Sequence, residues 1–285
     1  MEVIRKASEL KTLINYYKSQ SKSIGFVPTM GALHKGHLDL VSQAVAENDI
    51  SVCSIFINPI QFNEQSDFEN YPKTEDEDLE LLNAANVDIV FIPSYEEVYP
   101  EGSPKEKYSF DGLENVMEGK NRPGHFNGVA AVVKRLFQIV QPDNAYFGKK
   151  DYQQYLIIQK LVEKESMDIE IVPCKIVREE SGLAMSSRNK RLSDSQLEKA
   201  PFIYQILQKA VDAKKYMNPA EISNWIEKQF DDIEGMELEY FKIADGFKLE
   251  DVQSWDTSSK PMGFIVVQLG DVRLIDSIEF YSSKS

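Results

Sequence analysis

The segment Val27-Pro28-Thr29-Met30-Gly31-Ala32-Leu33-His34-Lys35-Gly36-His37-Leu38 sets two imidazoles three residues apart in a glycine-containing turn. At that spacing both rings lie roughly on one face of a helical turn. As N–H donors they can meet a phosphate whose charge grows while a bond forms or breaks. Gly31 and Gly36 have the spacing of a phosphate-binding P-loop, but His37 and Leu38 stand where that loop needs Lys and Ser/Thr. The lysine that would reach the β- and γ-phosphates and the hydroxyl that would hold magnesium are therefore missing. All three histidines of the chain, His34, His37 and His125, fall in glycine-containing segments and not on apolar helix faces. Scattered structural histidines are not expected to do that, although a turn with two surface histidines is the bland alternative.

Four further segments carry polar groups that could serve the same chemistry. Phe147-Gly148-Lys149-Lys150-Asp151-Tyr152-Gln153-Gln154 brings Lys150, Asp151 and Gln154 within one helix face by spacing. A cation and an amide together suit a hydroxylated carboxylate or a phosphate, and an ordinary capped helix start would look alike. Asn58-Pro59-Ile60-Gln61-Phe62, with Tyr71 downstream, offers an uncharged donor and acceptor at Gln61. Asn121-Arg122-Pro123-Gly124-His125-Phe126 is a rigid cationic turn. Gly182-Leu183-Ala184-Met185-Ser186-Ser187-Arg188-Asn189 supplies two hydroxyls and a guanidinium that could wrap phosphate oxygens. A plain turn, a surface loop and a solvated linker are the respective alternatives. The acidic run Glu75–Glu80 reads as a solvated helix face before it reads as a metal site.

The elements that must position these groups follow from periodicity. Ser23–Val27 is a short apolar run, and His37–Asn48 carries Leu38, Val41, Ala44 and Val45 at the spacing of one helix face. Ile50–Ile57 is a continuous β-branched run, as expected of a strand covered on both sides. Strand, helix and strand in about 35 residues make a βαβ unit. The pattern continues with helix over Glu75–Asn86, strand over Asp88–Ile92, helix over Gly128–Val140, strand over Ala145–Phe147, helix over Lys150–Ser166 and strand over Ile169–Val177. The expected fold class is α/β, a doubly wound, Rossmann-like parallel sheet over residues 1–176, whose chemistry should sit in the loops at the carboxyl ends of the strands. Helices over Ser195–Tyr216 and Pro219–Phe230, with Asn218 as N-cap, precede strands at Glu237–Ala244, Gly263–Leu269 and Val272–Ile278. The last two join at Gly270-Asp271, a hairpin signal. Residues 177–285 should thus form a smaller α+β domain, with Arg178–Asn189 as a linker or a moving loop.

Composition narrows the function classes. The chain has 285 residues, 42% hydrophobic and 11% aromatic, enough for one large or two modest packed domains. Its 32 basic against 46 acidic residues give a net charge of −14, which repels a phosphate backbone at long range and argues against nucleic acid as partner. No apolar run reaches the roughly 18 residues of a membrane span, and Met1–Leu10 carries charges where a signal peptide would be apolar. No membrane partner and a cytoplasmic location are expected. Cys53 and Cys174 lie in strand-like apolar segments and read as buried structural thiols.

Taken together, Val27–His37, Phe56–Phe62, Arg122–Gly128, Phe147–Gln154 and Ile176–Asn189 resemble, in order and separation, the motifs of the pantoate–β-alanine ligases, or pantothenate synthetases. That family is of the HxGH nucleotidyltransferase type, and the resemblance runs over roughly Glu2–Phe280. It implies ligation in two steps: pantoate and ATP give pantoyl adenylate and pyrophosphate, then β-alanine gives pantothenate and AMP. It implies ATP contacts at Met30, Gly31, Ala32, Leu33, His34, Lys35, Gly36 and His37. Further ATP contacts are implied at Gly148, Lys149, Lys150, Asp151, Val177, Met185, Ser186, Ser187 and Arg188. Gln61 and Gln154 are implied to hold pantoate, with Gln61 also near β-alanine, and Asn58, Tyr71, Arg122 and His125 are weaker carry-overs. His37 is expected to be catalytic with His34, and Lys150 to act as counter-charge. Mg2+ is implied by ATP, with no protein ligands identified. The resemblance also implies a homodimer and a small C-terminal lid. The nearest rival is an HxGH nucleotidyltransferase that moves a nucleotide onto a phosphorylated acceptor and stops.

Overall fold

The computed structural model describes residues 1–63, 65–231 and 233–280, without the side chains of residues 66 and 67. The chain divides into two compact units, Met1–Gly148 with Gln153–Lys175, and Lys149–Tyr152 with Ile176–Ser285.

The first unit is built on a six-stranded sheet. Its elements run β1 (Glu2–Ile4), α1 (Ala7–Ser19), β2 (Ile24–Thr29), α2 (Lys35–Glu47), β3 (Ile50–Ile55), α3 (Gln65–Glu69), α4 (Glu75–Ala84), β4 (Ile89–Phe91), α5 (Tyr95–Val98), α6 (Met117–Asn121), α7 (His125–Val140), β5 (Asn144–Gly148), α8 (Tyr152–Lys164) and β6 (Glu170–Cys174). The strand order is β1-β4-β3-β2-β5-β6, with every pair parallel. Successive strands β2, β3 and β4 step outward in one direction, and β5 then returns to the other side of β2. The order therefore reverses at β2, and the loop leaving its carboxyl end lies at the switch point where such sheets take their ligands.

Neighbouring residues of β2 point to opposite faces. Val27 packs with Val41 of α2, Leu82 of α4 and Tyr146 of β5. Phe26 turns the other way and meets Phe137 of α7 edge-on, with ring centroids 6.2 Å apart. Helices on both faces explain why β2 and β3 are apolar almost throughout and not alternating. Strand β1, three residues long, and α1 have no counterpart in the periodicity reading. The helix expected to start at Lys150 opens as a tight 3-10 turn over Lys149–Asp151 before α8 begins.

In the second unit α9 (Asp194–Lys199), α10 (Phe202–Ala213) and α11 (Pro219–Phe230) precede an antiparallel sheet of β7 (Met236–Asp245), β8 (Pro261–Leu269) and β9 (Val272–Glu279). The expected single helix over Ser195–Tyr216 is two helices. Pro201 has no N–H to donate and its ring crowds the preceding turn, so the chain stops at Lys199 and restarts. Helix α11 starts where Asn218 and Pro219 place it: the Asn218 side chain accepts from the Glu221 N–H, and Glu221 reaches back to the Asn218 N–H. Ile206, Ile222, Ile226, Ile265 and Val267 form the heart of this unit's own apolar core. Among the described residues no helix is long and apolar enough to cross a membrane.

Both cysteines are buried and unbridged. Burial pushes the Cys53 thiol up to about 12, so the thiolate that would react is scarcely formed. Native protein at pH 8 is expected to leave Cys53 unlabelled by iodoacetamide, read by peptide mass mapping, and to label it fully once unfolded in guanidinium. Labelling of the native protein at the rate of an exposed thiol would contradict the burial.

Candidate active site

The turn after β2 is built by two unusual backbone positions. Gly31 has φ +79° and Ala32 has φ +51°, both left-handed. The chain thereby curls so that the Ala32 and Leu33 N–H groups point inward, and the Asp78 carboxylate of α4 accepts both, at 2.9 and 2.7 Å. The Gly31 N–H is taken by Thr29 Oγ1 at 3.1 Å. A side chain on Gly31 would stand 2.9 Å from Asp78 Oδ2, so only glycine fits beneath the carboxylate.

Helix α2 starts immediately after this turn, and the two histidines cap it. His34 Nδ1 accepts from the Gly36 N–H at 3.1 Å, and His37 Nδ1 accepts from the His34 N–H at 3.3 Å. The roles played elsewhere by a Ser/Thr and a Glu side chain are played here by imidazoles. A neutral imidazole carries one proton. With both Nδ1 atoms accepting, the proton of each neutral ring sits on Nε2. The rings stack at 4.0 Å between centroids with their planes 29° apart, so the turn brings two imidazoles that carry their proton on Nε2 side by side. That is a donor pair suited to an oxyanion whose charge is building.

A second cluster in the same unit centres on Gln61. Asn58 is buried and caps the 3-10 turn Pro59–Gln61. Its amide donates to Gln61 Oε1 at 3.2 Å and to the Gly128 carbonyl at 3.1 Å, and its oxygen accepts the Tyr99 hydroxyl at 3.2 Å. Burial raises the Tyr99 phenol above its ordinary value and keeps it a donor. His125 is buried at the start of α7. Arg122 donates to its Nε2 at 3.2 Å, so Nδ1 carries the proton and donates to the Gln61 carbonyl at 2.8 Å. The Gln61 amide in turn reaches Met30 Sδ at 3.1 Å, which links this cluster to the β2 turn. Tyr71 lies farther out, its ring edge-on to Phe62 at 5.9 Å. Gln154 is half-buried on α8. Gly148 ends β5.

Apart from Lys35, the other sequence-predicted site residues belong to the second unit. Lys149, Lys150 and Asp151 form the 3-10 turn, and Lys35, in the first unit, is exposed. The segment Arg178–Asn189, expected as a linker or a moving loop, is a pinned hairpin followed by a short turn. Met185 N–H donates to the Val177 carbonyl at 3.0 Å and Glu179 N–H to the Leu183 carbonyl at 2.9 Å. Arg178 stacks on the Tyr204 ring at 3.6 Å and forks onto Asp276 at 2.6 and 3.0 Å. Burial pushes the Asp276 carboxyl above its ordinary value, and the Arg178 charge pulls the other way. Ser186 caps the 3-10 turn Ser187–Arg191, which leaves Arg188 exposed at its start.

The pantoate-β-alanine ligase family model matches residues 2–279. The chain belongs to the pantoate–β-alanine ligase family. The pantothenate synthetase of Porphyromonas gingivalis is 44% identical over 280 residues, covering 98% of this chain and 99% of its own. That of Phocaeicola vulgatus is 47% identical over 281 residues, with 98% and 99% covered. Among solved structures, pantothenate synthetase from Thermus thermophilus superposes with a TM-score of 0.92 at 38% identity, over 99% of this chain and 100% of its own. Pantoate–β-alanine ligase from Francisella tularensis, complexed with β,γ-ATP and β-alanine, gives 0.83 at 36% identity, with both chains wholly covered.

For this ligase family member the sequence reading missed the part played by Asp78. The run Glu75–Glu80, read as a solvated face, holds one buried carboxylate, 2% exposed. Its spacing of four from the fully buried Leu82 puts it on the inward face of α4, a signal the helical period carried. Gly128, read as the end of the Arg122–Gly128 motif and the start of a helix, also has a packing role that the sequence did not show. A Cβ there would meet Ile60 O and Gln61 Cα at 2.7 Å, so glycine lets the 3-10 turn lie directly on α7. Gly128→Ala should displace Gln61 and lower pantothenate formation by roughly tenfold or more, as small misplacements do. Unchanged steady-state rates in a folded Gly128→Ala protein would dissociate this contact from activity.

Proposed function

We propose that this chain condenses pantoate with β-alanine, using ATP and releasing AMP and pyrophosphate. The observation that carries the reading is the stacked pair of Nε2–H imidazoles at the switch-point turn, in a chain whose full-length relatives are pantothenate synthetases. In the first step a pantoate carboxylate oxygen attacks the α-phosphorus and the bond to pyrophosphate breaks. In the second the β-alanine nitrogen attacks the acyl carbon, loses a proton, and AMP leaves. A nucleotidyltransferase that moves a nucleotide onto a phosphorylated acceptor and stops is not favoured by relatives at 44–47% identity named for the ligated product.

We assign His37, with His34 beside it, as the donor to the phosphoryl oxygens, and Lys150 as a counter-charge. ATP contacts are assigned to Met30–His37, Gly148–Asp151, Val177 and Met185–Arg188. Pantoate is assigned to Gln61 and Gln154, with β-alanine also near Gln61. The hydrogen bonds of Asn58 and His125 to Gln61 support positioning roles for these two, with Arg122 fixing the His125 tautomer, and Tyr71 borders the same segment. Catalysis then rests on orientation and preorganised donors, with no protein nucleophile.

Among the described residues no group of three or more His, Cys, Asp or Glu is placed to hold a metal ion. Magnesium, implied by ATP, is assigned to the triphosphate as part of the substrate, where it shields charge, and no protein ligand is named. Residues 177–285 are proposed as a lid that keeps water from the acyl adenylate, and the active species as a cytoplasmic homodimer.

The deciding experiment supplies ATP, Mg2+ and D-pantoate with and without β-alanine and follows AMP, ADP, pyrophosphate and pantothenate. AMP and pantothenate should form together only when β-alanine is present. ADP in their place, or pyrophosphate without any amine-dependent product, would overturn the reading. His37→Ala should lower adenylation by roughly 10²–10³-fold, the cost of one lost transition-state donor, and, because the ring also caps α2, lower the unfolding midpoint modestly in a protein that still folds. Wild-type turnover in that variant would remove His37 from the mechanism.

A further inference from the structure

One buried carboxylate is used by no step of the proposed reaction. Asp78, on the inward face of α4, is 2% exposed and has no cationic partner among the described residues. Its oxygens are satisfied by the Ala32 N–H at 2.9 Å, the Leu33 N–H at 2.7 Å and the Thr74 hydroxyl at 3.2 Å. Two of those three donors are consecutive backbone groups of the turn that leads into His34. A buried charge satisfied by neutral dipoles is costly to keep, so its retention calls for a role beyond filling space.

The backbone it grips is one the turn would not hold by itself. Ala32 has a Cβ and still sits at φ +51°, a conformation that L-residues other than glycine and asparagine rarely adopt. Turning the Ala32 and Leu33 N–H groups inward requires that curl, and the carboxylate stabilises it with two charge-assisted hydrogen bonds. His34 follows Leu33 directly, and its Nδ1 and N–H bonds then fix both rings. Release of Leu33 would move the residue whose N–H sets the His37 tautomer.

We propose that Asp78 is a positioning residue for the paired histidines: it clamps the left-handed turn so that both imidazoles are held stacked in their Nε2–H form. This rests on the reading that the histidines act on ATP. The role is narrow in shape, because an asparagine of the same size offers one acceptor and one NH2 group. That NH2 would face a backbone N–H and leave it unpaired.

The test is a double-mutant cycle of Asp78→Asn and His37→Ala, with the exposed Glu80→Gln on the same helix as control. Asp78→Asn should lower kcat for adenylation by roughly 10–100-fold, the range expected of a displaced catalytic group, with a much smaller change in the KM for ATP. In the His37→Ala background the same substitution should cost several-fold less than in the wild type, since one of the two rings it positions is gone. An equal loss in both backgrounds, or a normal kcat in a merely less stable protein, would overturn the proposal. Should Asp78→Asn not fold, Thr74→Val removes one of the three donors while leaving the carboxylate, and the same non-additivity is expected from it.

A second readout does not depend on ligation. Imidazole 15N shifts of the wild type should report Nε2–H for both His34 and His37, and Asp78→Asn should average them toward mixed tautomers. Unaltered shifts in the variant would refute the clamp even if the wild type proved to make another product. A wild type that makes no pantothenate but shows the expected shifts would sink the ligation reading alone.

Discussion

A neutral imidazole has a single acceptor nitrogen, and in both histidines of the β2 turn that nitrogen is already bonded to the backbone. The Gly36 N–H takes His34 Nδ1 and the His34 N–H takes His37 Nδ1. The chemistry the turn can offer is thereby decided by its fold: donors at Nε2, and an Nδ1 that is already engaged and does not serve as a base. The same two bonds satisfy helix N-terminal N–H groups that would otherwise be orphans. Capping and tautomer are set by the same contacts, so the tautomer cannot be lost without fraying the start of α2.

What holds this turn is a contest between local preference and tertiary contact. A non-glycine residue kept in the left-handed region costs on the order of 1–3 kcal/mol and persists only where its surroundings over-determine it. Here the surroundings are the Asp78 carboxylate, the Thr29 hydroxyl beneath Gly31, and the apolar packing of α4 against the sheet through Leu82. Placement at the strand-order reversal adds the rest. Beside β2 the strands run outward in both directions, so the turn projects from the sheet edge without a neighbouring crossover covering it.

The sequence carried the parts of this arrangement that depend on period and punctuation. Apolar runs located β2, β3 and β4, Asn218-Pro219 located the start of α11, and Gly270-Asp271 located the last hairpin. It was silent where an element is short or its face narrow. Strand β1 has three residues, and α1 fully buries only Leu10 and Ile14 among its polar positions. Within the site, residue types and spacing brought out the histidines and Gln61, because glycines and prolines mark where the backbone turns. They could not show that Arg178 forks onto Asp276, or that His125 donates to the Gln61 carbonyl 64 residues away. Those pairs meet only through the register of distant elements. Asp78 lay between the two cases: its helical phase was legible, but the acidic neighbours in the first turn of α4 masked it.

An acidic chain that handles a nucleotide also has to solve a problem of field. At −14 the molecule repels a triphosphate at a distance, and surface repulsion of this kind weakens within a Debye length of about 8 Å at physiological salt. Close contact is where attraction must be supplied. Under the proposed assignment the first unit supplies it with neutral donors: imidazole Nε2–H groups and the Gln61 and Gln154 amides. Such donors cost less to desolvate than ammonium or guanidinium groups. They also suit the acid substrate of the proposed reaction. A carboxylate forked by an arginine would have its lone pairs drawn into the ion pair just when one oxygen must attack phosphorus. Amides can hold the same molecule through its hydroxyls and leave that oxygen nucleophilic, while the proposed assignment gives Lys150 and Arg188 to the phosphates. On that assignment the acid meets neutral amides while the imidazoles and the cations go to the nucleotide, because the acid must react through its own negative charge.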